Sequence, residues 1–162
     1  LRQGKGSMYE GGLRVPFIAV GPRIKPGSQS RVPVTGLDLF PTLAELAGYA
    51  KPLPKSLDGG SLTRLLRNQG QGAVQRSNSF LLFHQAVART AQTALIHGDY
   101  KLVKTWRGNR LELFDLSKSV EEDINLAEKL PGKTEELHGL MTGHLDNVGA
   151  ETRKITTKKA NQ

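Results

Sequence analysis

The 162-residue sequence contains no cysteine. That excludes a disulfide framework, a thiolate metal cluster and a cysteine nucleophile. It leaves the redox compartment open, because exported proteins also fold without disulfides. Aromatic residues are scarce, at 6% of the chain, and none is interleaved with the basic C-terminal stretch. The stacking platform expected of a nucleic-acid binder is therefore missing, and nucleic acid is not an expected partner. No apolar run approaches the roughly 20 residues needed to span a bilayer, so no membrane span is expected. Neither a G-x-S-x-G nucleophile elbow nor a Walker loop occurs; Gly4-Lys5-Gly6-Ser7 has the letters of the latter without its spacing. His138 and His144 stand six apart on a helical stretch, which is not a metal-ligand spacing, and no metal ligands are assigned. The chain opens at Leu1 without a signal peptide, so the true N-terminus is expected upstream and the compartment stays unassigned.

What is present is a net charge of +8 whose excess sits at the two ends. Residues 1–34 carry a net of +5 and residues 151–162 a net of +3, while the middle balances. The terminal stretch 151–162 reads as a basic, disordered tail.

Residues 1–14 are rich in glycine, which lets backbone approach a ligand or another segment closely. Val15–Val20 (VPFIAV) is a short apolar run that reads as a buried strand. Leu37–Ala47 has helical spacing, with Thr35 or Asp38 as the cap and Gly48 as the stop. Residues 68–79 read as a polar surface loop. Four strand-like runs follow, at 80–83, 93–96, 100–106 and 111–116, with Gly98-Asp99 and Arg107–Arg110 as tight turns. Leu137, Leu140, Met141, Leu145 and Val148 then form one helical stripe suited to covering a sheet, with Glu135 and Glu136 expected in the first turn. The fold class is thus an α/β fragment, part of a larger sheet layer, followed by a small α+β subdomain with a four-stranded antiparallel sheet and a packed helix. The strand at 15–20 is expected to join a sheet whose other strands lie outside this chain. The division is 1–70 for the α/β piece, 71–150 for the subdomain and 151–162 for the tail.

Lys5 is the candidate for chemistry. A lysine flanked by glycines puts a point charge on backbone that can come close to an anion. A solvated loop lysine is the plain alternative. The acidic pairs Glu121-Glu122 and Glu135-Glu136 read as surface or helix-start charges.

Five blocks carry a resemblance. Gly4-Lys5-Gly6-Ser7-Met8-Tyr9-Glu10-Gly11-Gly12-Leu13-Arg14-Val15-Pro16 resembles the GKG-x-x-YEGG-x-R-x-P segment of the formylglycine-dependent sulfatases, arylsulfatase A-like members of the alkaline phosphatase superfamily. In order follow Asp38-Leu39-Phe40-Pro41-Thr42-Leu43 with Ala47-Gly48, Leu57-Asp58-Gly59-Gly60-Ser61-Leu62, Gly98-Asp99-Tyr100-Lys101-Leu102-Val103, and Glu112-Leu113-Phe114-Asp115-Leu116 with Glu121-Glu122 and Asn125-Leu126-Ala127. The resemblance implies the C-terminal part of a sulfuric ester hydrolase with an alkaline phosphatase-like sheet layer.

By the same resemblance Lys5 contacts the sulfate, Tyr9, Glu10 and Arg14 support the motif, and His84 lines the substrate cleft. A structural role is the alternative for His84. The parent uses calcium and a formylglycine, but their motifs are absent from this chain. The fragment alone is then expected to be inactive. Its partners are a sulfated small molecule or glycan and the remainder of the sulfatase chain. The parent is expected to be periplasmic, secreted or lysosomal. Two alternatives stay open: a phosphodiesterase or phosphonate monoester hydrolase of the same superfamily, and a non-catalytic module that binds anionic glycans.

Overall fold

A computed structural model describes residues 1–86 and 91–152. The tail expected over 151–162 lies, from residue 153 onward, outside the described residues. The chain divides into two compact units, one of residues 1–15 together with those from 80 onward, the other of residues 16–79.

The first unit is built on four strands, β1 (Leu81–Gln85), β2 (Gln92–His97), β3 (Tyr100–Thr105) and β4 (Arg110–Asp115). They pair antiparallel in chain order, β1-β2-β3-β4. The β2–β3 hairpin closes on Gly98-Asp99, where Gly98 has φ +59°, the conformation a two-residue hairpin needs at its first central residue. The register aligns Leu82, Leu95, Leu102 and Leu113 in one row across all four strands. Because side chains alternate faces, this row points to one side of the sheet, and Phe83, Ala94, Val103 and Glu112 form a row on the other.

Helix α4 (Pro131–Asn147) covers the leucine face with Leu137, Met141 and Leu145, each at most 2% exposed. Burying an aliphatic side chain of this size is worth about 2 kcal/mol before entropy is counted, so these contacts dominate the docking of α4. Pro131 occupies the first turn, where its missing N–H costs nothing. The helix therefore starts earlier than the acidic pair suggests. Glu135 and Glu136 fall in the second turn, and Leu140 and Val148 stand at the edge of the stripe, not within it.

The opposite face of the sheet is covered by the first fifteen residues. Met8 and Tyr9 pack on Ala94, Val103 and Phe114, with Leu13 at the margin. The sheet is thus sandwiched between α4 and the glycine-rich N-terminal segment, which contributes one short helix, α1 (Glu10–Leu13).

The second unit holds a 3-10 turn (Gly36–Asp38), α2 (Leu39–Leu46) and α3 (Thr63–Arg67). The Asp38 carboxylate accepts the Thr35 N–H at 2.8 Å, and Gly48 ends α2 with φ +73°. Asp38 also binds the two downstream loops, accepting the Gly60 N–H at 2.9 Å and the Arg76 guanidinium at 2.8 and 2.7 Å. Val15–Val20, expected to pair with strands outside this chain, has no regular structure within it, and Ile18 and Val20 lie open. The physical reason is that a strand satisfies its backbone on a neighbour, and residues 16–79 supply no strand for it to pair with.

A candidate anion-binding turn

Gly4-Lys5-Gly6-Ser7 is a tight turn. The Ser7 N–H donates to the Gly4 carbonyl at 3.1 Å, and Gly6 takes φ +87°, the left-handed value a type II turn demands at its third residue. Lys5 stands at the tip. It is exposed, and its ammonium has no hydrogen bond or ion pair with any described residue.

The stems of the turn are fixed on both sides. After it, the Met8 N–H donates to the Gln92 Oε1 on β2 at 3.1 Å. Tyr9, fully buried, donates its phenol to Glu112 Oε2 on β4. Burial, reinforced by the hydrogen bond to Glu112, pushes the Tyr9 phenol up to about 12, so it remains a donor at any physiological pH. The backbone N–H of Glu10 donates to Glu122 Oε2 at 2.6 Å, and the Glu10 carboxylate accepts from Lys101 Nζ at 2.8 Å and from Arg14 at 3.1 Å. Before the turn, Arg2 donates to Glu112 Oε1 at 3.0 Å and to the Glu122 carbonyl at 3.2 Å, and its guanidinium lies 4.2 Å from the Tyr9 ring centroid.

Gly11 and Gly12 are required by close approach. A Cβ on Gly11 would meet the Gln3 carbonyl oxygen at 2.1 Å, and one on Gly12 the Ser7 carbonyl oxygen at 2.1 Å. Any larger residue would push α1 off the loop that presents Lys5.

Sequence reasoning found Lys5, Tyr9, Glu10 and Arg14, and these four lie in one continuous segment. It missed Arg2, Lys101, Glu112 and Glu122, which hold that segment down. Glu122 was expected at the surface; its side chain is fully buried, with Lys101 Nζ 2.8 Å from Oε1. The available signal was that Lys101, Glu112 and Glu122 each belong to a quoted motif block. A charged residue inside a block that forms a strand asks for a partner.

His84 is placed elsewhere. Its Nδ1 lies 2.7 Å from Thr93 Oγ1 and its ring stacks edge-on against Trp106, on the leucine face of the sheet. That is the face away from Met8 and Tyr9, so the structure does not bring His84 beside the segment that carries Lys5. Burial holds its imidazole below the usual histidine range, partly offset by a hydrogen bond to the Glu151 backbone. Nearby, Lys104 Nζ lies 2.8 Å from His138 Nε2 and 4.5 Å from the Trp106 centroid. Burial lowers the pKa of both Lys104 and His138, and the Lys104 charge lowers that of His138 further.

Among the described residues no group of three or more His, Cys, Asp or Glu side chains is placed to hold a metal. The buried carboxylates at 10, 38, 112 and 122 already face Lys or Arg cations. The described residues therefore offer no oxygen-ligand set that fits a calcium ion. No helix of the described residues is long and apolar enough to cross a membrane. In the second unit a groove of about 470 Å³ runs between α2 and the loop at 53–61, lined by Tyr49, Lys55 and Arg76 among others. Lys5 is not among its lining residues.

Residues 3–150 match the family model described as N-sulphoglucosamine sulphohydrolase, C-terminal. Arylsulfatase K of Xenopus laevis is 35% identical over 141 residues, which is 82% of this chain and 26% of the relative. Steryl-sulfatase of Mus musculus is 44% identical over 84 residues, 51% of this chain and 13% of the relative. A crystal structure from Bacteroides thetaiotaomicron, assigned as a sulfatase, superposes with a TM-score of 0.69 at 29% identity, covering 93% of this chain and 33% of that one. The chain thus spans about a quarter of the length of curated relatives that it matches along most of its own length.

Proposed function

Because the chain belongs to the family of N-sulphoglucosamine sulphohydrolase C-terminal regions, we propose that it is the C-terminal portion of a sulfatase that hydrolyses sulfate esters, and that Lys5 contacts the sulfate. The observation that carries this reading is an ammonium, without a partner among the described residues, at the tip of a turn whose stems are fastened to β4 through Arg2 and to β2 through Met8. A cation held in place before the substrate arrives needs no reorganisation as charge builds on the oxygens of the transferred sulfuryl group. Hydrolysis then yields the alcohol and inorganic sulfate.

In this reading residues 1–70 close the α/β domain of the parent, 71–150 form its small subdomain, and 151–162 a basic tail. The nucleophile, a formylglycine, and the calcium that activates it belong to parts of the parent outside this chain, so no step through either is assigned to these residues. Tyr9, Glu10 and Arg14 hold the turn, and His84 packs within the subdomain. The substrate is a sulfated small molecule or glycan. The names of the relatives, arylsulfatase K and steryl-sulfatase, support the ester class. The exposed apolar face of α2, with Phe40 57% and Leu43 63% accessible, supports the remainder of a longer chain as its cover.

The test is the purified full-length protein on paired aryl sulfate and aryl phosphate esters. Preferential turnover of the sulfate, absent in the 162-residue chain alone, is expected. Preference for the phosphate ester would move the reading to a phosphodiesterase or phosphonate monoester hydrolase. Salt-sensitive heparin binding without turnover would move it to a glycan-binding module.

A further inference from the structure

The Lys101 ammonium is fully buried and lies 2.8 Å from both Glu10 Oε1 and Glu122 Oε1. Taking three charges out of water is costly, and an apolar replacement of similar volume is often as stable. Its presence calls for a role other than stability. The geometry supplies one. Glu10 is the residue by which α1 is fixed: its carboxylate binds Lys101, and its N–H binds the other oxygen of Glu122. Two residues before it, Met8 is tied to Gln92; on the far side of the turn, Arg2 is tied to Glu112 and to the Glu122 carbonyl. Glu122 therefore touches both stems of the loop, through its carboxylate on one side and its carbonyl on the other. Gly12 packs on the Ser7 carbonyl and Gly11 donates to the Arg2 carbonyl at 3.0 Å, so α1 passes any displacement directly to the residues flanking Gly4–Gly6. The free segment is the five residues Gln3–Ser7, with Lys5 at its centre.

We propose that Lys101, acting through Glu10 and Glu122, is a positioning residue that sets where the Lys5 ammonium stands. This rests on the reading of Lys5 as the sulfate contact. A point charge on a flexible stem is useful to a transition state only if its Cα is fixed, and a displacement of about 1 Å is worth up to about 100-fold in rate.

Lys101→Met alone leaves two facing carboxylates unpaired and threatens the fold. The informative variant is Glu10→Gln/Lys101→Met/Glu122→Gln, which removes the charges together and keeps the volumes. In the full-length protein turning over an aryl sulfate, this triple variant is expected to lower kcat about tenfold or more at an unchanged melting temperature. Placed on a Lys5→Ala background, the same three changes are expected to lower it no further, because a positioning residue has nothing left to position. An unchanged kcat in the triple variant, or a full additional loss on the Lys5→Ala background, overturns the proposal. If the triple variant does not fold, Arg2→Gln loosens the other stem at a partly exposed side chain and is expected to show the same non-additivity with Lys5→Ala; additivity there overturns the proposal equally. A Lys5→Ala enzyme with wild-type turnover would instead refute the reading of Lys5 on which this inference rests.

Discussion

Arg76 grips Asp38 with two donors, Nε to Oδ1 at 2.8 Å and Nη2 to Oδ2 at 2.7 Å, and the carboxylate beneath it is wholly buried. Burial alone would raise the Asp38 pKa. The bonds from Arg76, Gly60 and Thr35 outweigh it and hold the carboxyl below its usual range. A carboxyl with a depressed folded pKa contributes stability above its unfolded value near 4 and loses it as pH falls through the folded value.

Asp38→Asn is therefore expected to unfold at a lower temperature at pH 7 and to be less sensitive to acid below about pH 4 than the parent chain. Arg76→Met, which leaves the buried carboxylate without its cation, is expected to cost about 3 kcal/mol. Thermal melts at pH 7 and pH 3 measure both. Equal melting temperatures at pH 7 would remove this contact from the account of the second unit.

The close approach at Gly12 sets a second expectation. A Cβ there lies 2.1 Å from the Ser7 carbonyl oxygen, and the neighbour it meets is backbone that has no room to yield. Gly12→Ala is expected to free the Gly4–Ser7 turn while leaving the β1–β4 sheet intact. Amide hydrogen exchange reads this directly: faster exchange at Ser7 and Gly11 with unchanged protection at Leu102.

A third concerns pH. His138 is partly buried, its Nε2 accepts from Lys104, and both burial and that cation lower its pKa. When pH falls below the unfolded histidine value near 6.5, the unfolded chain takes up a proton that the folded one resists. Stability is then lost from about pH 6.5 downward until the folded pKa is reached. His84, lowered by burial, adds to the same trend. His138→Gln keeps an acceptor for Lys104 and is expected to reduce the fall in melting temperature between pH 7.5 and pH 5.5. An undiminished fall would assign the acid sensitivity elsewhere.

A fourth tests the leucine row. Leu102 is fully buried between Leu95, Leu113 and the α4 contacts. Leu102→Ala is expected to cost about 3 kcal/mol, seen as a lower urea midpoint with an unchanged slope.

The sheet, α2 and the hairpin turn at Gly98-Asp99 were legible because their signals are local. Short apolar runs around Leu95 and Leu102, a capping residue ahead of Leu39 and a two-residue turn each act within a few positions. The covering of the second sheet face was not legible. Tyr9 finds Glu112, and Glu10 finds Lys101, across some ninety to a hundred residues, and an ion pair at that separation leaves no periodicity to read. Each member read by itself looks like solvated charge. Arg76, read as part of a polar surface loop, was missed for the same reason. The run at 15–20 favours a strand by its residues, but pairing depends on partners that the described residues do not contain. The turn itself was visible as a motif, while the clamp that gives Lys5 a fixed address was not.

Lys5 is proposed to meet the departing sulfate. The most direct measurement of this is kcat for an aryl sulfate in the full-length protein carrying Lys5→Ala, beside Tyr9 fluorescence or near-UV circular dichroism to show the segment still docked. A fall of about 100-fold or more with the segment in place is expected, the size found when one donor to a developing oxyanion is removed. Turnover equal to that of the unaltered protein would contradict the account.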